Sequence, residues 1–206
     1  MRRFVLQVVI AGLAAGLNMS GVMAEPAVVR LVDAPLVSVE DPRLGGNVNG
    51  PSLIRVPDWV ADPLGRYYLY FSHHEGDGIR LAYADRPEGP WQLHEPGALS
   101  LADSLFPTER PPDSALAPEI RARQGSGRDF VYPHIASPDV VVDPETRSIR
   151  LYYHGLLPDG RQATRVATSS DGLDFTAHPE VLGAPYFRVF HHAGWWWALA
   201  MPGLLY

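Results

Sequence analysis

The chain contains no cysteine and no lysine. Without thiols there are no disulfides, no thiolate nucleophile and no zinc–thiolate site, so stability has to come from packing. All 17 basic residues are arginines, set against 23 acids for a net charge of −6. A surplus of negative charge would be repelled by a phosphate backbone, which argues against nucleic acid as a partner. Long runs of helical period are also scarce, whereas 20 Pro and 19 Gly punctuate the sequence. That pattern predicts many short strands joined by turns, and the expected fold class is all-β. With 206 residues, 46% of them hydrophobic, the chain can build one domain around a real core.

The amino end reads as a targeting segment. Arg2 and Arg3 precede an apolar run from Phe4 to Leu17 broken only by Gln7, and Val22, Met23, Ala24 end in a small residue. This is the pattern of a secretory signal over residues 1–24, cleaved after Ala24. The run has 14 residues, fewer than the roughly 20 that cross a bilayer, so no stable membrane anchor is expected after cleavage. The mature domain, residues 25–206, is then expected to be secreted or periplasmic. Loss of two arginines leaves 15 − 23, or −8.

What is present is a repeat. PDWVADP (Pro57–Pro63) returns 81 residues later as PDVVVDP (Pro138–Pro144), with five of seven positions identical. Tyr67–Phe71 answers Ile149–Tyr153, Ile79–Ala82 answers Thr164–Ala167, and Trp91 and Phe175 close the two units. A period carrying strand, turn, strand and closing aromatic together marks a duplicated supersecondary unit. Four short antiparallel strands per unit is the make-up of a propeller blade. Blades are expected at about 51–101 and 131–182, with an incomplete one over 183–206, where Gly194 is matched to Gly65. Residues 102–128 read as a long loop, functional or mobile. Ala27–Val39 suits an edge or closing strand, and the Gly- and Asn-rich stretch after it a loop, either plain surface or near a ligand.

The DP turn followed by a YYLYF-like strand, with endings Ala82–Trp91 (GPW) and Ser169–Phe175 (S-x-DG-x-x-F), resembles the five-bladed β-propeller glycoside hydrolases. These are the arabinanases, β-xylosidases and arabinofuranosidases of family 43, with invertases and levansucrases as relatives. The resemblance implies a ring of five blades around a sugar site and an oligo- or polysaccharide partner. This sequence carries about two and a half such units, an incomplete β-propeller.

Glycosidic cleavage needs one carboxyl held protonated for the leaving oxygen and another held ionised to activate water or attack carbon. Asp58 and Asp139 are equivalent by the 81-residue register, and the resemblance implies general base or nucleophile for the first and acid tuning for the second. Asp beside Pro at a strand entrance also serves turn chemistry, the better account of Asp62 and Asp143. The third position, implied to carry the acid, holds Phe187, with Glu180 the nearest carboxylate and Glu109 or Glu119 as substitutes from the long loop. Candidate substrate-binding residues are Trp59 as a sugar platform, His134, His73, and Arg188 for a substrate carboxylate or a pair with Asp58 or Asp139. No metal site or cofactor is read from the residues; adjacent strand histidines such as His73 and His74 point to opposite faces. An axial calcium ion stays open. The functional classes are a secreted glycoside hydrolase, a glycan-binding propeller that lost the reaction, and a fragment without function.

Overall fold

The computed structural model describes residues 28–38, 40–127 and 130–206. The expected leader lies outside the described residues. From Val32 onward the strands assemble into three antiparallel sheets. The first holds β1 (Asn49–Arg55), β2 (Tyr67–Ser72), β3 (Gly78–Ala84) and β4 (Gln92–Ser100), side by side in chain order. The second holds β5 (Ile135–Asp143), β6 (Ser148–Leu156), β7 (Gln162–Ser169) and β8 (Thr176–Ala177) in the same order. In the third, β10 (Trp195–Ala200) lies between β9 (Arg188–His192) and β11 (Leu204–Leu205).

The YYLYF run of β2 lacks a polar face because both of its faces are covered. Tyr68 and Tyr70 enter the core shared with the second sheet, against Ile149, Leu151 and Tyr153 of β6. Leu69 and Phe71 point the other way. Tyr70 meets Phe175 edge to face at 5.9 Å and donates its hydroxyl hydrogen to the Gly172 carbonyl at 2.7 Å. The third sheet docks on the second through Phe187, Ala198 and Ala200 against Tyr152.

Several expected features take another form. Residues 28–38, expected as an edge strand, contain no strand. The Gly- and Asn-rich stretch behind them is a cover for the first sheet: Leu44 is buried on Leu69, Phe71 and Ala82, and Arg80 donates to the Leu44 carbonyl at 2.7 Å. The segment expected as a long loop, functional or mobile, is strapped to the second sheet. Phe106 stacks edge-on against Tyr153 at 5.8 Å, the Tyr153 hydroxyl donates to Ser104 O at 2.7 Å, and Leu116 packs on Val131 and Leu156 before the one-turn helix α1 (Pro118–Arg121). Gly155 leaves the room for this strap, since a Cβ there would sit 2.6 Å from the Phe106 ring. Finally, Ala193 (φ 52°) and Gly194 (φ 83°) form a tight hairpin turn between β9 and β10. Gly65, by contrast, lies in the longer β1–β2 connection, so the matching of these two glycines does not hold.

Candidate functional site

The innermost strands β1, β5 and β9 lie beside one another in that order, and a similar backbone step stands near the start of β1 and β5 and just before β9. In the first sheet Asn49 faces Ser72 and Ser52 faces Tyr70, so β1 carries one extra residue. In the second, Ala136 faces His154 and Asp139 faces Tyr152. In the third, the Met201 N–H bonds the Pro185 carbonyl while Arg188 faces Leu199. The first two are β-bulges, the third is a matching step in the bend just before β9, and in each the second residue has positive φ: Gly50 at 59°, Ser137 at 51° and Tyr186 at 65°. Positive φ is sterically costly for a bulky residue such as tyrosine and clusters where function or packing over-determines the backbone.

These bulges reset the repeat. Gly50 and Ser137 are 87 positions apart, 137 − 50, rather than 81. Asp139 therefore corresponds to Ser52, and Asp58 falls on Glu145 in the turn beyond the second inner strand. Asp58 lies past the end of β1, its side chain 97% exposed, 3.9 Å from Arg55. The structure does not bring Asp58 and Asp139 together as equivalent groups, because PDWVADP occupies a loop whereas PDVVVDP lies mostly within a strand.

Asp139 has a different task. The Val140 N–H donates to Ser52 Oγ at 2.8 Å, and the Val189 N–H donates to Asp139 Oδ2 at 2.6 Å. On β1 and β5 this position thus accepts a hydrogen bond from the next inner strand, a clamp repeated at both sheet junctions. Arg188 stands at that position in β9 and turns back, donating to the Pro138 and Phe187 carbonyls at 3.2 and 3.0 Å and lying 4.0 Å from Asp139 Oδ1. Of its two expected partners it therefore sits with Asp139. Burial pushes the Asp139 carboxyl up, opposed by the Val189 N–H and by Arg188. If Asp139 is chiefly a clamp, Asp139→Asn keeps an acceptor oxygen and changes stability little. Asp139→Ala orphans the Val189 N–H and should cost about 1–3 kcal/mol in urea denaturation; equal losses in both variants would contradict the clamp.

What the bulges gather is a neutral polar cluster. Ser137 N–H donates to Ser72 Oγ at 3.1 Å, Ser72 donates to Asn49 Oδ1 at 3.2 Å, and Asn49 donates to Asn47 Oδ1 at 2.7 Å. The buried His134 ring, bonded through Nδ1 to the Tyr132 carbonyl at 2.8 Å, lies edge-on to His154 at 5.6 Å. His154 lies 4.3 Å from the Tyr186 ring, and its Nδ1 is buried without a hydrogen-bond partner. Desolvation first, then His134, His74 and Arg188, hold His154 down at about 3; desolvation also lowers His134. Both imidazoles are neutral near pH 7. At the two bulges and the step before β9 stand Gly50, Ser137 and Tyr186, and no carboxylate.

The remaining candidates are placed as follows. His134 belongs to the cluster. His73 Nδ1 accepts from the Glu75 N–H at 3.0 Å and shapes the β2–β3 turn. Trp59 is a fastener rather than an open platform: its indole N–H donates to Ser170 O at 3.3 Å and its ring packs on the core between the first two sheets. Glu109 and Glu180 are exposed, and Glu119 sits 3.7 Å from Arg161. Among the described residues no three His, Asp or Glu side chains come together as metal ligands. Beside the cluster, and sharing Tyr186 with it, is a cleft of about 470 Å³ lined also by His74, Pro185, Gln162 and Met201. Sequence reasoning missed His154, Ser72 and Tyr186. The signal that finds them is the pair Gly50–Pro51 and Ser137–Pro138, each opening an inner strand.

A family 43 glycoside hydrolase of Xanthomonas citri superposes with a TM-score of 0.53 at 17% identity, over 80% of this chain and 41% of its own. Its complex with xylotriose gives 0.52 at 18% identity with the same coverage. The fold is that of the family 43 glycosidase propeller. The family 43 protein BlXynB of Bacillus licheniformis gives 0.51 at 15% identity, over 81% of this chain and 29% of its own. An uncharacterized protein of Acanthamoeba polyphaga mimivirus is 31% identical over 159 residues, 72% of this chain and 40% of its own length. The chain thus spans about two fifths of that relative and of the Xanthomonas structures. No protein-family model matches the chain. The expected incomplete propeller is therefore observed, with three sheets that cover only part of the family 43 fold.

Proposed function

We propose that this chain is a secreted glycan-binding propeller, holding an oligosaccharide at the bulge cluster without hydrolysing it. One observation carries the reading: the two inner-strand bulges and the matching step before β9 present Gly50, Ser137 and Tyr186, with no carboxylate pair among the described residues there to share proton donation and water activation. What surrounds them suits binding. Amide and hydroxyl groups of Asn47, Asn49, Ser72 and Ser137 pair with hydroxyls, and the rings of Tyr132 and Tyr186 offer faces to sugar C–H groups. The Xanthomonas citri enzyme with this fold is captured with xylotriose, which makes xylo-oligosaccharides the first ligands to test. Export by the Arg2–Arg3 leader would place the protein where plant or microbial polysaccharides occur.

The test joins calorimetric titration of the chain with xylo-, arabino- and galacto-oligosaccharides to turnover of aryl xylosides, arabinofuranosides and fructosides. Saturable binding with no turnover above the buffer rate is expected. Turnover abolished by Asp139→Asn would overturn the proposal in favour of a hydrolase, because that variant preserves the clamp and removes only the ionisable carboxyl.

A further inference from the structure

We infer that the cleft beside the bulge cluster selects an anionic saccharide, one bearing carboxylate or sulfate groups, and that Arg123 is the residue that reads the charge. The inference rests on the glycan-binding reading and names its ligand class. The cleft, about 470 Å³, falls within the roughly 300–1,000 Å³ typical of small-ligand sites. Among the described residues its lining contains no carboxylate, in a chain with 23 acidic residues against 17 basic ones. It does contain two arginines and a histidine, Arg123, Arg161 and His74. The charge of Arg161 is answered by Asp159 at 2.8 Å and Glu119 at 3.7 Å. Among the described residues Arg123 pairs with no carboxylate.

A guanidinium presents donors in a fork that matches carboxylate and sulfate oxygens, and such charge-assisted bonds are stronger than the neutral ones available elsewhere in the cluster. The opposite character is supplied by Ile120, Phe130, Val131 and Met201, an apolar wall for the C–H face of a pyranose. Tyr186 belongs both to this cleft and to the step before β9, so a saccharide end held at the cluster continues past Tyr186 towards Arg123. An acidic protein that binds an acidic polymer needs a local exception to its own field, and this cleft, with no carboxylate among its described lining residues, is one.

The experiment titrates the full chain with trigalacturonate, a sulfated galacto-oligosaccharide and xylotriose, at low and at moderate salt, with wild type and Arg123→Gln. Expected is an anionic ligand binding about tenfold more tightly than xylotriose at low salt. Moderate salt and Arg123→Gln should each erase that preference, while xylotriose affinity changes less than about twofold. Trigalacturonate outperforming the sulfated sugar identifies a uronate source, and the reverse a sulfate ester. Equal affinities for charged and neutral ligands, or a preference that survives in Arg123→Gln, overturn the inference and leave glycan binding standing. Failure of every saccharide to bind would remove the functional reading together with this one.

Discussion

Lowering the pH from 7.5 to 5 should destabilise the protein by about 2 kcal/mol through His154 alone. In an unfolded chain this imidazole titrates at its ordinary 6.5, whereas in the fold burial holds it near 3, assisted by His134, His74 and Arg188. Between these values the unfolded state binds a proton that the folded state refuses. Stability contributed by the neutral ring is therefore complete above 6.5 and is lost as pH falls towards 3. His134, also lowered by burial, adds in the same direction. The span from pH 7.5 to 5 lies above the carboxylates Asp41, Asp113, Asp143 and Asp171, which are lowered from 3.8 and lose their contribution as pH falls below that value. His154→Phe keeps a ring under Tyr186 and removes an orphaned Nδ1, so it should cost little at pH 7.5 and flatten the acid slope. The measurement is urea denaturation of both proteins at several pH values between these limits. A wild-type curve with no slope over the window, or an unchanged slope in His154→Phe, would show that the ring is not held neutral by the fold.

How much of this was legible in the sequence depended on what each signal reports. The aromatic runs of β2 and β6 were readable because a strand covered on both faces must be apolar at nearly every position, as Tyr68–Phe71 and Ile149–Tyr153 are. The third sheet was found, but its register was set on the wrong glycine. Gly194 closes a two-residue hairpin, whereas Gly65 is required because a side chain there would meet the Ala84 carbonyl at 2.9 Å. The expected equivalence of Asp58 and Asp139 does not hold, for a related reason. Identical letters in PDWVADP and PDVVVDP were counted as register, yet Asp and Pro recur in such stretches because both suit turns, and turn chemistry does not mark sheet position. The backbone instead keys on Gly50–Pro51 and Ser137–Pro138, which share no identical residue except proline. Asp139 is half-buried on an inner strand, and its partners Val189 and Arg188, 50 and 49 residues away, give it a role that spacing could not supply.

Gly50→Val should be among the most damaging single changes, at about 3 kcal/mol or more. Two costs combine. A Cβ at Gly50 would lie 2.8 Å from the Cα of Ser137, so β1 and β5 must separate at the point where they converge, and overpacking of that kind costs about 1–3 kcal/mol. The φ of 59° adds a penalty of about 1–2 kcal/mol for a residue with a Cβ, and a β-branched one is least able to adopt it. Ser137 has the same backbone at φ 51° and tolerates its side chain because the residue facing it is glycine. Ser137→Gly should therefore be nearly neutral. It should also fail to rescue Gly50→Ala, because the nearest obstructing atom is the backbone Cα, which glycine retains, while the Ser137 side chain stands farther off at 3.4 Å. The double variant is expected to show the sum of the single effects in denaturation experiments. Full recovery in Gly50→Ala/Ser137→Gly would place the obstruction in the side chain and refute the backbone convergence of β1 and β5 at their paired bulges.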